Sequence, residues 1–176
     1  MSVDDGVLIG GRERRDIVIV EADPAWPERF EVERTRIVEA LGERALRLDH
    51  VGSTSVPGLA AKPVIDIDLS VADPDDEDSY VPALEAAGYV LRVREQGHRM
   101  LRTPALDVHV HVCAPDSDWE TRHLVFRDWL RTHPDDRDLY AAVKRDLAGR
   151  EWDDMNDYAD AKTEIIAAIV ARAPPT

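Results

Sequence analysis

The chain has a single cysteine, Cys113, so it cannot form an internal disulfide. That points to a reducing compartment, with the cytoplasm as the expected location. Basic residues are in deficit: 22 Lys and Arg against 36 Asp and Glu leave a net charge of −14. A surface that grips extended nucleic acid needs clustered Lys and Arg, so this balance excludes one. It leaves room for a local basic pocket around a small phosphorylated ligand. Long apolar runs are also missing. No stretch approaches the roughly 18 consecutive apolar residues of a membrane span, and no N-terminal segment has the apolar core of a signal peptide. A phosphate-binding P-loop is excluded as well, because Gly58 is followed by Leu59 where that motif needs Lys and Ser or Thr. Sequence alone leaves oligomeric state open.

What is present suits one folded unit. A hydrophobic fraction of 44% over 176 residues supports a core domain with a helical extension. Residues 1–15 mix Gly, Asp, Arg and Glu without period and are expected to form a loose tail. Residues 16–115 alternate strand and helix signals, as an α/β core does. Residues 116–176 turn helical and are expected to pack on that core.

Residues 50–71, HVGSTSVPGLAAKPVIDIDLSV, organise the rest. Gly52 and Ser53 follow a short strand signal, and residues 53–60 are expected to start a short helix. Exposed amides at such a turn hold phosphate oxygens. Lys62 reads either as a point charge for phosphate or as a solvated loop lysine. In the strand that follows, Asp66, Asp68 and Ser70 share one face, while Ile65, Ile67, Leu69 and Val71 share the other. Two carboxylates two residues apart on one face repel each other, and a cation between them relieves this. An all-oxygen site suits Mg²⁺ or Mn²⁺.

A second strand signal spans residues 106–113, LDVHVHVC. Alternation puts Asp107, His109 and His111 on one face. If that face lies beside Asp66 and Asp68, all five residues can serve one metal. Two histidines on one strand also suit Zn²⁺ or Mn²⁺. Elsewhere, Asp23-Pro24 reads as the cap and first turn of a helix carrying Trp26, Phe30, Ile37 and Leu41. A short apolar run at 17–20 reads as an edge strand. Further strands are expected at 89–93 and 99–103. Pro134 reads as the end of one C-terminal helix, with the next starting at Asp135 or Asp136. A last helix carries Tyr158, Lys162, Ile165 and Ile169. Tyr140/Lys144 and Tyr158/Lys162 are each four apart, so each pair shares a helix face. Their heads either meet a ligand or lie in water over the core.

The string Val51-Gly52-Ser53, a spacer, then Asp66-Ile67-Asp68-Leu69 resembles the nucleotidyltransferase superfamily signature. The longer GSTSVPGLAAKPVIDI, the Pro-Trp before the first long helix and Phe126-Arg127-Asp128-Trp129-Leu130-Arg131 resemble one branch of it, the GrpB family. The resemblance implies a nucleotidyltransferase-like mixed sheet flanked by helices. It implies Asp66 and Asp68 as catalytic metal ligands for Mg²⁺ or Mn²⁺, with His109, His111 or Asp107 completing the shell and His109 or Asp107 the alternative base. It implies Gly52, Ser53 and Thr54 at the phosphates of an NTP, with Lys62, Arg99, Lys144 and Lys162 offsetting charge and Tyr158 against the base. The expected activity is NMP transfer from an NTP to an unknown small acceptor. The alternatives are a non-catalytic nucleotide or cofactor module linked to coenzyme A metabolism, and a metal-dependent phosphohydrolase.

Overall fold

The computed structural model describes residues 8–175. Five strands form one mixed sheet: β1 (Arg47–Val51), β2 (Ile65–Ser70), β3 (Val90–Glu95), β4 (His98–Arg102) and β5 (Val108–Cys113), in the order β1-β2-β5-β4-β3. The central pair, β2 and β5, is parallel, and every other pairing is antiparallel. The β2–β5 register sets Asp66 beside His109 and Asp68 beside His111.

Period two gives the sheet two unlike faces. Ile65, Ile67 and Leu69 of β2 and Val108, Val110 and Val112 of β5 are buried on one face. Helices α1 (Trp26–Leu41) and α2 (Val81–Ala86) cover it through Trp26, Ile37, Leu41 and Leu84. The other face carries the acidic and histidine side chains. Helix α3 (Asp118–Thr132) lies over it, followed by α4 (Pro134–Ala148), α5 (Met155–Ala161) and α6 (Thr163–Val170). These helices build a second apolar cluster, in which Phe126, Leu130, Tyr140 and Ile169 enclose Val56 and Leu59 of the loop after β1.

Several boundaries differ from the sequence reading, each for a local reason. Helix α1 starts at Trp26 with Ala25 at the cap position. Asp23 acts one turn earlier: its Oδ1 accepts from Ala25 N at 2.8 Å and its carbonyl accepts from Trp26 N at 3.1 Å. Pro134 opens α4, where a missing N–H costs nothing, as well as closing α3. The expected helix at 53–60 is a single 3-10 turn, Ser53–Ser55. The last expected helix is broken at Lys162, whose N–H turns back to Ala159 O at 3.2 Å. The edge strand expected at 17–20 reduces to one bridge between Val20 and Ala61.

Residues 1–7 of the expected tail lie outside the described residues. Residues 8–15 are laced to the sheet edge. Leu8 bridges to Val93, and the buried Arg92 guanidinium donates to the carbonyls of Ile9 and Gly11. Glu13 accepts from Arg102 at 2.8 and 2.6 Å, while its carbonyl accepts from Met155 N at 3.0 Å. Charged residues that read as solvated in sequence thus bind backbone and each other. Among the described residues, no helix is long and apolar enough to cross a membrane.

The core assignment makes a testable contrast. Leu69→Ala removes a fully buried side chain at the sheet centre and should cost about 2–5 kcal/mol in urea denaturation. Leu46→Ala, at a residue 54% exposed, should change stability by less than about 0.5 kcal/mol.

Candidate metal and phosphate site

The site is built where β1 ends beside β2. Val51 pairs with Asp66, so the chain leaving β1 passes directly over the Asp66 carboxylate. Gly52 stands there with φ +71°, and a Cβ on it would lie 2.7 Å from Asp66 Oδ2. Glycine is required on both counts, backbone conformation and space. The next residues turn sharply: Ser55 N–H donates to Gly52 O at 3.2 Å, and Thr54 Oγ donates to Val64 O at 2.9 Å.

Asp66 collects both strand histidines. His109 Nδ1 lies 3.5 Å and His111 Nε2 3.4 Å from Asp66 Oδ1. One ligand atom from each of the three residues lies within 4.8 Å of the others. Burial pushes the Asp66 pKa up, but hydrogen bonds from the two histidines outweigh it and hold the carboxyl well below the usual range. For His111, burial pulls down while the Asp66 hydrogen bond and the charges of Asp66 and Asp68 prevail and raise it. His109 Nε2 is buried and finds no hydrogen-bond partner among the described residues.

Asp68 is placed differently. It is 1% exposed and is gripped from α3: His123 Nδ1 lies 2.9 and 3.0 Å from its two oxygens, and Trp119 Nε1 donates at 3.4 Å. Both of its oxygens are thus held from α3. Asp107 also falls outside the cluster. Strand β5 begins at Val108, so the alternation does not extend to Asp107. Leu106 takes φ +63°, and the Asp107 carboxylate accepts from Thr103 Oγ at 2.7 Å and Arg29 at 3.0 Å. Arg99 is not brought to the site either. It pairs with Val112 in register and lies on the apolar face, bound to Glu77 at 2.5 Å and Asp75 at 2.9 Å.

Three lysines do converge beside Asp66. A cavity of about 50 Å³ is lined by Ser53, Thr54, Lys62, Asp66, Lys144, Tyr158 and Lys162. Lys144 is 2% exposed, and its ammonium donates to Ser53 Oγ at 2.8 Å and Ala60 O at 2.6 Å. Of the two readings of the Tyr/Lys pairs, heads lying in water fails for Lys144. Lys62 and Lys162 flank the Tyr158 ring, their ammonium nitrogens 5.4 and 4.6 Å from its centre. Burial, with the neighbouring Lys162 and Arg145 charges, pulls Lys144 down to about 7. Burial and Lys62 pull Lys162 to about 8. Burial also lowers Lys62. The Tyr158 hydroxyl is buried without a hydrogen-bond partner among the described residues. Sparsely compensated lysines and an unpaired hydroxyl around a small cavity are the kind of lining that suits an anion.

Sequence reasoning missed Trp119, His123 and His98. Trp119 and His123 sit four apart at the start of α3, a spacing that already marked one helix face. His98 reads as a turn residue but opens β4, stacked on Trp119 with ring centres 3.9 Å apart. Burial, with the neighbouring His111, His123 and Arg99, takes its pKa down to about 3.

Comparison with known proteins gives this arrangement a lineage. The family model described as GrpB protein matches residues 16–172. A UPF0157 protein of Streptomyces coelicolor is 52% identical over 94% of this chain and 89% of its own length. A protein of Mycolicibacterium paratuberculosis named dephospho-CoA kinase is 34% identical over 85% of this chain, which spans 44% of that relative. Among solved structures, a conserved GrpB protein from Enterococcus faecalis superimposes with a TM-score of 0.75 at 34% identity, covering 88% of this chain and 98% of that one. With its family model matched across nearly all of its length, the chain belongs to the GrpB family.

Proposed function

We propose that this chain binds a small molecule through its phosphate groups, an NTP first among them, and transfers NMP from it to a small acceptor with the help of a divalent ion. The observation that carries the reading is that Asp66 belongs at once to the Asp66–His109–His111 cluster and to the lysine-lined cavity. A cation site and an anion site sharing one wall suit a metal–phosphate pair. The fold reading that goes with it is a nucleotidyltransferase-like core, and the order of Gly52-Ser53 before Asp66 and Asp68 supports that.

The donor set decides which ion fits. One carboxylate and two imidazoles are a poor shell for Mg²⁺, which prefers oxygen, and a good one for Mn²⁺ or Zn²⁺. His109 turns its Nδ1 toward Asp66, and that nitrogen is the one placed to join the ion. A bound ion would supply charge neutralisation and Lewis acidity at the phosphate. The protein's own groups do the rest. Gly52 lets the backbone come close. Lys62, Lys144 and Lys162 balance phosphate charge, and the third ammonium proton of Lys144 remains for the ligand. Asp66, held ionised, is fitted to keeping a cation rather than to moving a proton. At about 50 Å³ the cavity is small against the roughly 300–1,000 Å³ that encloses a whole small molecule, so it suits a phosphate group with the remainder of the ligand outside it.

A second reading has its own observation. The resemblance to a dephospho-CoA kinase covers under half of that relative, as an appended module would. On that reading the same pocket binds a nucleotide or coenzyme A-related phosphate without turning it over. Hydrolysis would follow if water took the acceptor's place. Pyrophosphate release from each NTP with Mn²⁺ separates these readings. Release with a modified acceptor supports transfer, release with free NMP as the other product supports hydrolysis, and saturable binding with no product leaves the module.

Two outcomes are expected in titration calorimetry. Mn²⁺ should bind more tightly than Mg²⁺. Asp66→Asn and His109→Ala should each weaken it at least about 100-fold, since even outer-shell partners are worth roughly 10–100-fold. Asp68→Asn should keep the ion and lower Tm instead. Pyrophosphate affinity should already be falling at pH 7 and should fall further as pH rises past about 8, because Lys144 and Lys162 lose their protons as pH rises through about 7 and about 8. Lys144→Met should weaken it about 10–100-fold, as loss of a charge-assisted hydrogen bond does. Pyrophosphate affinity that ignores both changes would remove the anion site from this reading.

A further inference from the structure

The polar face holds a row of groups extending outward from the metal cluster. His98 Nε2 lies 3.3 Å from His111 Nδ1, and His98 Nδ1 lies 3.0 Å from Glu95 Oε2. His98 is buried, and its ring stacks on Trp119 at 3.9 Å with 24° between planes. Glu95 reaches solvent, with 46% of its side chain exposed. The row therefore reads Glu95, His98, His111, Asp66.

Donor and acceptor roles along it follow from chemistry. A carboxylate only accepts, so Glu95 takes the hydrogen bond of His98 Nδ1–H. In the neutral ring His98 Nε2 then bears the lone pair and accepts. His111 must donate to it from Nδ1–H. This leaves His111 Nε2 with its lone pair 3.4 Å from Asp66 Oδ1. When His111 carries a second proton, Nε2–H donates to Asp66; in the neutral ring two acceptors face each other across that gap, and a metal ion in place of that proton satisfies both. The nitrogen of a histidine that binds metal is fixed by the hydrogen bond of the other nitrogen, so whatever sets His111 Nδ1 sets the ligand atom.

We propose that His98, itself oriented by Glu95, is a positioning residue that fixes His111 in the tautomer presenting Nε2 to a metal held with Asp66 and His109. This deepens the reading above and rests on the metal cluster being real. His98 touches no ligand. Trp119 sets the plane of its ring, and Glu95 sets which of its nitrogens is protonated. The row ends at the surface, so the outermost group of the metal centre is a residue with no apparent tie to it in sequence.

The test uses Co²⁺ as a spectroscopic probe on the full chain, with calorimetry for affinity and visible absorption for the ligand set. His98→Phe keeps an aromatic ring against Trp119 and removes both hydrogen bonds. It should lower Co²⁺ affinity about 10–100-fold and shift the absorption bands, while Tm changes little. His98→Gln offers an amide oxygen to His111 and an amide N–H to Glu95, and it should recover most of the affinity. Glu95→Ala, at an exposed position where folding is not at risk, should lose several-fold. Phe binding Co²⁺ as the parent does, or Gln no better than Phe, overturns the positioning role and leaves the metal cluster standing. Unchanged affinity in Glu95→Ala overturns the part assigned to Glu95. A parent protein that binds no Co²⁺ removes the cluster itself, and this inference with it.

Discussion

The parallel pairing of β2 with β5 is the constraint on which the rest depends. It sets Asp66 against His109 and Asp68 against His111, and in the same stroke Ile65, Ile67 and Leu69 against Val108, Val110 and Val112. A slip of one residue would turn both sets over, placing carboxylates in the core and aliphatic side chains at the site. The chemistry and the core are thus two faces of a single register. The antiparallel partners extend it. β1 delivers Gly52 to Asp66, and β4 places His98 against His111.

Asp66 and Asp68 show how neighbours two residues apart acquire unlike roles. Asp68 is closed off beneath α3, and His123 and Trp119 satisfy its oxygens. A buried charge is tolerated only when partnered in this way, and that pins the first turns of α3 to the sheet. Asp66 borders a cavity and meets only strand histidines and lysines. Its environment suits cation binding, whereas that of Asp68 suits holding a helix in place. The shared-ion expectation for the pair came from repulsion between them. The structure relieves that repulsion with imidazoles at separate places.

The sheet was readable because its strands obey period two without interruption. The alternation in 65–70 and 108–113 predicts both the buried set and the polar set correctly. It fails at Asp107, where a left-handed Leu106 ends the strand pattern one residue short; Arg99, which the resemblance set at the phosphates, sits on the apolar face, where acidic loop partners neutralise it. The lysine pocket was half legible. The Tyr140/Lys144 and Tyr158/Lys162 spacings are visible, but burial of the Lys144 head depends on a loop carbonyl at Ala60, a long-range contact no local pattern encodes. The groups around His98 were illegible for the same reason: their meaning arises from three elements meeting. Residues 8–15 looked unstructured because their carbonyls and Glu13 are held by two distant arginines, Arg92 and Arg102.

The two apolar clusters have a mechanical consequence. The sheet, α1 and α2 form one body, while the loop after β1 joins α3, α4 and α6 in another. Asp66 belongs to the first. Lys144 rides on a helix of the second, Lys162 sits at the junction of two more helices there, and both line the cavity with Asp66. An anion seated there would act as a rivet, tying the helical half to the sheet through charge alone.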